Sequence, residues 1–409
     1  MTTLERFLEY IKIPTQSAEN TGVCPTTDKQ FVLAHRLVRE LQELGVADAY
    51  ADEHCYVYAH IPATPGYENV TRVGLIAHLD TAPDFADEPV NVQILRNYDG
   101  GNVALGTSGR TLTVDSFPHL LSLKGRTLIT TDGMTLLGAD DKAGIAEILT
   151  AVEHILTQDL PHGPISIGFT PDEEVGTSAD GFDLAAFDAE YAYTVDGGPE
   201  GEVVYETFNA AAADFEVKGF NIHPGSSKNR MINASLVAME INAMLPSGEI
   251  SRCTEGYEGF YHLCDMAGSV ESAELHYIVR DHSATKFDAR IGTLRHIEKL
   301  MNEKYGAGTV TLSVREQYRN MAEIIEQHPA VLEIADRAIE LCGFPVVHSP
   351  IRGGTDGAHL SFMGLPTPNL GTGGYAAHGP YEHVTEEGLE MSTKVIETIL
   401  RLWAEKGAK

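Results

Sequence analysis

Apolar and polar positions alternate in two different ways along this chain. Up to about residue 208, buried-strand patterns and helical patterns follow one another. DKQFVLAHRLVRELQELG (28–45) carries Phe31, Leu37, Val38, Leu41 and Leu44 at helical spacing and stops at Gly45. RVGLIAHLD (72–80) is a continuous apolar run, as a strand covered on both faces requires. KAGIAEILTAVEHIL (142–156) predicts a helix, and PISIGFT (164–170) and AEYAYTVD (189–196) predict strands. Such alternation implies an α/β domain with a mixed, largely parallel sheet. Beyond residue 208 the order changes. A strand (211–219), a helix (233–245), two strands (256–264 and 272–281), a long helix (283–306) and a strand (309–317) make a ferredoxin-like βαββαβ unit. From residue 321 the helix–loop–strand–helix character returns. The expected architecture is a discontinuous first domain, 1–208 and 321–409, interrupted by a small inserted domain, 209–320.

Composition narrows the class. The 409 residues are 43% hydrophobic and 22% charged, with 29 basic and 59 acidic side chains and a formal net charge of −30. That charge disfavours nucleic acid and anionic membranes as partners, and an anionic substrate would need a local Arg or Lys. The five cysteines are widely spaced with no Cys-x-x-Cys pair, which argues against a disulfide framework or a thiolate metal site. The N-terminus lacks a signal-peptide pattern, and Thr2 with Glu5 reads as a helix capping box. No apolar run approaches the roughly 20 residues of a membrane span. These features predict a cytoplasmic location and no membrane partner.

The candidate chemistry lies at the strand ends. One ends in His78-Leu79-Asp80, another runs into Glu173-Glu174, and a third into Asp196. Asp140 and Asp141 stand at the mouth of a helix, and AHGPYEH brings His378 and Glu382. Each signal alone is weak, because paired acidic residues usually cap helices or line solvated turns. Together they would crowd carboxylates into the crevice where strand C-termini converge, and such crowding demands cations. Oxygen and imidazole donors without thiolate suit zinc, manganese or cobalt. The donor number suggests two ions, with a shared carboxylate bridging them over a clamped water and a free carboxylate handling protons.

Several motifs carry a family resemblance: IAHLDTAP, DGMTLLGADDKAGIAEIL, FTPDEEVG, YTVDGG, KGFNIHPGSSKNRMINA, IVRDHS and PIRGGTDGAHLSFMGLPTPN. Over nearly the whole chain the sequence resembles peptidase T, the tripeptide aminopeptidase branch of the di-zinc exopeptidase and aminoacylase superfamily. The resemblance implies two Zn2+ per subunit, Mn2+ or Co2+ being alternatives. His78 and Asp196 would hold one ion, Glu174 and His378 the other, and Asp140 would bridge them. Glu173 would be the general base for attack by a metal-bridged hydroxide, and Asp80 would orient His78. The Asp140–Asp141 peptide would be cis. His223 would meet the substrate carbonyl, Arg280 would anchor a peptide C-terminus, and Arg352 would support the pocket. His119, His262 and His359 read as structural.

Two departures and two rivals remain in view. Relatives usually carry Asn where Ala376 stands, and GPYEH departs from the basic-aromatic pattern expected after His378, so the preference near the peptide N-terminus is open. A dipeptidase or an N-acyl amino acid deacylase would use the same metals. A non-catalytic peptide- or metal-binding protein would have no use for Glu173. The inserted sheet also leaves edge strands through which two copies could pair as a homodimer.

Overall fold

A computed structural model describes residues 1–407 of the chain. Two compact units are present. Among the described residues the first comprises 1–205, 323–349 and 355–407, and the second 206–322 and 350–354. These boundaries differ by a few residues from those expected from the sequence, and 350–354, which contains Arg352, belongs to the second unit rather than the first.

The first unit is built on an eight-stranded mixed sheet. At its centre Val73–His78 lies between Ile165–Thr170 and Tyr191–Val195, and all three run parallel. Every residue of Val73–His78 and of Ile165–Thr170 is buried. This is why their sequences read as unbroken apolar runs rather than alternating ones. Val57–Ile61 joins antiparallel on one side, and Asn369–Leu370 continues the parallel set on the other. The helix Ala139–Thr157 lies against the strand Val73–His78 and meets the helices Thr3–Tyr10 and Glu386–Gly407. Gly144 allows its close approach, since a Cβ there would lie 1.9 Å from the carbonyl oxygen of Val195. The first helix has the capping box read from Thr2 and Glu5, with reciprocal bonds of 3.1 and 2.9 Å.

The helix Gln30–Glu43 buries Leu33, Ala34, Leu37 and Leu41, together with Glu40. Glu40 is tolerated inside because Arg6 Nε donates to it at 2.6 Å and Tyr10 at 2.8 Å.

A second sheet in this unit was not foreseen. Short strands Gly374–Tyr375, His383–Thr385, Leu128–Thr131 and Val92–Leu95 pair antiparallel in that order. Tyr98, Leu105, Leu112, Leu120 and Leu128 form a separate small core in this region. The pairing of 383–385 with 128–131 carries the loop around His378 to the segment that leads into Asp140.

The second unit is a four-stranded antiparallel sheet in the order Phe260–Gly268, Ser272–Asp281, Asn209–Lys218, Val310–Tyr318. With the helices Ala234–Ala243 and Ala284–Tyr305 the chain order is βαββαβ. Phe215, Val217, Leu275, Val279, Phe287 and Leu294 are among its core residues. No helix of the described residues is long and apolar enough to cross a membrane.

Candidate metal centre

Three parallel strands deliver the first donors. His78 ends the central strand, Asp196 follows Tyr191–Val195, and Glu173 and Glu174 follow Ile165–Thr170 by way of Pro171 and Asp172. Asp172 is in the left-handed region (φ 59°), a conformation unusual outside glycine. Its buried carboxylate accepts from the Thr26 backbone N–H (2.8 Å), the Thr26 hydroxyl (2.5 Å) and Gln30 Nε2 (2.7 Å), which fixes the turn. Asp80 ties this turn to the His78 strand by accepting the backbone N–H groups of Glu173 (3.0 Å) and Glu174 (3.2 Å). His78 Nδ1 lies 3.0 Å from the carbonyl oxygen of Asp80 and 3.4 Å from its carboxylate. Asp80 therefore orients the imidazole mainly through its main chain, and its carboxylate organises the glutamate turn.

The remaining donors come from two loops locked together. The Asp140–Asp141 peptide is cis, and neither residue has helical dihedrals. Asp141 is buried and spends its oxygens on the backbone N–H groups of His78 (3.1 Å) and Gly144 (3.2 Å). Glu382, also buried, accepts the N–H groups of Leu137 (2.6 Å), Gly138 (2.8 Å) and Asp140 (2.9 Å). It stands four residues after His378, so one side chain fastens the His378 segment to the Asp140 loop. His378 itself has φ 63° and Ala376 φ 55°, two further positive values in non-glycine residues.

The assembled geometry suits two ions. One oxygen of Asp140 is 2.9 Å from His78 Nε2 and the other 3.5 Å from His378 Nε2. Asp196 lies 3.6 Å from His78 Nε2, and Glu174 2.9 Å from His378 Nε2. Two donors on one tetrahedral zinc, each about 2.0–2.1 Å from it, stand about 3.3 Å apart. The observed separations bracket that value, and Asp140 divides its oxygens between the two sets as a bridge must. The second oxygen of Glu174 is buried with no hydrogen-bond partner among the described residues, a group that a cation would satisfy. Donors of His78, Asp141 and Asp196 also converge within 4.8 Å. The backbone bonds of Asp141 make it a support, and Asp140, whose oxygens face both imidazoles, is the better ligand.

Electrostatics follow from this crowding. Burial opposes protonation of His78, but Asp196, Asp140 and Asp80 outweigh it and hold its pKa well above the usual value. Bonds to Asp140 and Glu174 push His378 up to about 11. Burial pushes Glu174 up to about 7 and Asp196 to about 6, with Asp140 adding to both. Asp140 goes the other way, because the two imidazoles overcome its burial and lower it. Glu173 is raised well above the carboxylate range by burial and by Asp356, Asp196 and Glu174, against the opposing pull of His78. Asp356 is held in place by Thr170 (2.9 Å) and Ser178.

The second unit holds the other sequence-derived candidates. His223 is exposed, and its Nδ1 accepts the Gly225 N–H at 3.2 Å, leaving Nε2–H as a donor. Arg280 uses one terminal nitrogen on the carbonyls of Val279 (3.0 Å) and Ala211 (3.2 Å) and stacks over Tyr318. Arg352 is spent differently. Its terminal nitrogens bind the carbonyls of Gly256 (2.7 Å) and Glu258 (2.8 Å) and the Thr254 hydroxyl (2.8 Å). Its plane lies over Phe208 and Phe260. It braces the 254–258 loop. The sequence places Asp141 and Glu382 among the crowded carboxylates without a specific role, and does not single out Asp172 or Asp356. Only Glu382 offered a usable signal, its spacing from His378.

Fold and site together define an α/β protein with a carboxylate–imidazole centre shaped for a pair of divalent ions. The profile of Peptidase family M20/M25/M40 matches residues 130–402. A peptidase T from Clostridium perfringens is 50% identical over 403 residues, covering 98% of this chain and 99% of its own. Among solved structures, aminopeptidase PepT from Bacillus cereus superposes with a TM-score of 0.78 at 21% identity, with 98% of each chain covered. A dinuclear metal-binding peptidase of the M20 family from Bacillus subtilis gives 0.67 at 14%, again with 98% of each chain covered. The chain belongs to peptidase family M20/M25/M40 and, within it, to the peptidase T group.

Proposed function

We propose that this peptidase is a zinc-dependent aminopeptidase that removes the N-terminal residue from tripeptides. The observation that carries the reading is that the two oxygens of Asp140 face His78 and His378 separately, beside the turn on which Asp80 holds Glu173. His78 and Asp196 would hold one ion and Glu174 and His378 the other, with Asp140 between. Bound there, the ions supply Lewis acidity and an activated water. Glu173 takes the proton of the attacking water and returns it to the leaving amine. Asp80 and Asp172 hold the turn that aims Glu173. The free Nε2–H of His223 is suited to a developing oxyanion, and the uncommitted guanidinium donors of Arg280 to a peptide carboxylate.

The test is Glu173→Gln. Turnover of a tripeptide should fall by about 10²–10⁴, while elemental analysis still finds two ions per chain. Near-normal hydrolysis by that variant refutes the role of Glu173. A panel of di-, tri- and tetrapeptides and acyl amino acids tests the substrate class, and preference for dipeptides or acyl amino acids overturns the tripeptide assignment.

A further inference from the structure

An arginine that is to hold a peptide carboxylate binds best with its fork already aimed, because a free side chain loses its rotamer freedom on binding. The second unit meets this demand at Arg280. Two other arginines of that unit are spent on carboxylates, Arg290 on Glu249 and Asp281, and Arg319 on Glu316 and Asp288. Arg280 touches no carboxylate among the described residues. One terminal nitrogen is tied to the carbonyls of Ala211 and Val279, and the guanidinium carbon stands 5.5 Å from the centroid of the Tyr318 ring.

Strand register explains how the ring comes to lie there. Tyr277 and Val279 point into the core of the unit, so Ile278 and Arg280 turn to the opposite face of the sheet. Ala210 stands directly across from Arg280 and shares that face. Its small side chain leaves the arginine room to lie across the neighbouring strand. On the strand beyond, Val310, Leu312 and Val314 pack on the core, and by the same period of two Tyr318 would point there as well. It does not, because the register shifts. Ala211 pairs with Glu316 and Ala210 with Tyr318, so Gln317 is an extra residue. Such a bulge re-aims the side chains that follow it, here turning Tyr318 to the face of Arg280. Gly354 backs the ring, since a Cβ there would lie 2.7–3.0 Å from three of its atoms.

We infer that Tyr318 is a positioning residue for substrate selection. Its ring holds the Arg280 guanidinium so that the donors left over, at Nε and the second terminal nitrogen, are aimed for the C-terminal carboxylate of a peptide. The inference rests on the aminopeptidase reading above, in which Arg280 is that anchor. Tyr318 acts through Arg280, by lowering the cost of ordering its side chain.

The experiment compares trialanine with trialanine amide on the zinc-loaded enzyme carrying Tyr318→Leu, Tyr318→Phe, Arg280→Ala, or Tyr318→Leu together with Arg280→Ala. Tyr318→Leu should raise KM for trialanine about three- to thirtyfold, as expected for one cation–π contact, with kcat little changed. The amide, which lacks the carboxylate, should show a much smaller change. Tyr318→Phe keeps the ring and should keep the wild-type ratio between the two substrates. With Arg280 already removed, Tyr318→Leu should add no further loss. An unchanged KM in Tyr318→Leu overturns the assignment. So does an equal loss on both substrates, a loss in Tyr318→Phe as large as in Tyr318→Leu, or losses that multiply in the double variant. If Arg280→Ala leaves the ratio between the substrates at its wild-type value, the anchor reading fails and the Tyr318 role with it. If only Tyr318→Leu leaves it there, the anchor stands and Tyr318 is not what positions it.

Discussion

Replacing Glu382 with Gln should loosen the metal centre although Glu382 is not itself a ligand. Its carboxylate accepts three backbone N–H groups, those of Leu137, Gly138 and Asp140, at 2.6–2.9 Å. A glutamine amide offers one oxygen. If that oxygen keeps Leu137 and Gly138, the amide nitrogen faces the N–H of Asp140, donor against donor. A buried donor left without a partner costs about 1–3 kcal/mol, and the two surviving bonds lose their charge assistance at about 1 kcal/mol each. The total, about 3–5 kcal/mol, is the penalty if the loop stays in place. The loop can relieve it by moving, and the residue that moves is Asp140, the proposed bridge. The expected result is a 10–100-fold loss of zinc affinity, the usual effect of removing a group that orients a ligand. Competition with a chromophoric chelator measures it, with wild type and Glu382→Gln compared at one pH. Two ions bound with wild-type affinity by the variant would refute the reasoning, because the carboxylate would then be shown to fasten nothing.

Two other outcomes follow from groups away from the ligands. Burial holds His383 down at about 4, with His119 adding to the effect and the bond to the Tyr381 carbonyl opposing it. The unfolded chain therefore binds the extra proton between pH 6.5 and 4, so this histidine's contribution to stability is present above 6.5 and is lost as pH falls toward 4. The loss is about 3 kcal/mol. His383→Gln should flatten the fall of the unfolding midpoint over that window relative to wild type, and parallel curves would exclude His383 as the cause. Arg280→Ala should raise KM about ten- to a hundredfold for free tripeptides and much less for C-terminally amidated ones. An equal effect on both would remove Arg280 as the carboxylate anchor.

The parts of this molecule legible in its sequence are those where burial writes a pattern. Val73–His78 and Ile165–Thr170 are covered on both faces, so they read as apolar runs, and the polar residues that end them stand out against that background. His78, Glu173, Glu174 and Asp196 stand out as candidates for that reason. The second sheet of the first unit left no such trace. Its strands are two to four residues long, and the pairing at its centre joins positions more than two hundred residues apart, such as His383 with Thr130. Too few residues alternate for a period to show, and the long-range partner at the centre is invisible locally. Yet that sheet brings His378 to Asp140, so the proposed metal centre rests on the portion of the fold that periodicity could not disclose. The same limit explains Arg352 and Glu382. Both are charged residues in glycine-bearing loops. One is consumed by carbonyls of the 254–258 loop and the other by the N–H groups of 137–140. Whether a charge in a loop faces substrate or holds backbone depends on which unpaired main-chain groups lie beside it, and these are set by tertiary contacts rather than by neighbours in sequence. Sequence could therefore nominate candidate ligands through their chemistry, while the residues that hold their backbone became visible only once the main-chain donors and acceptors had been placed.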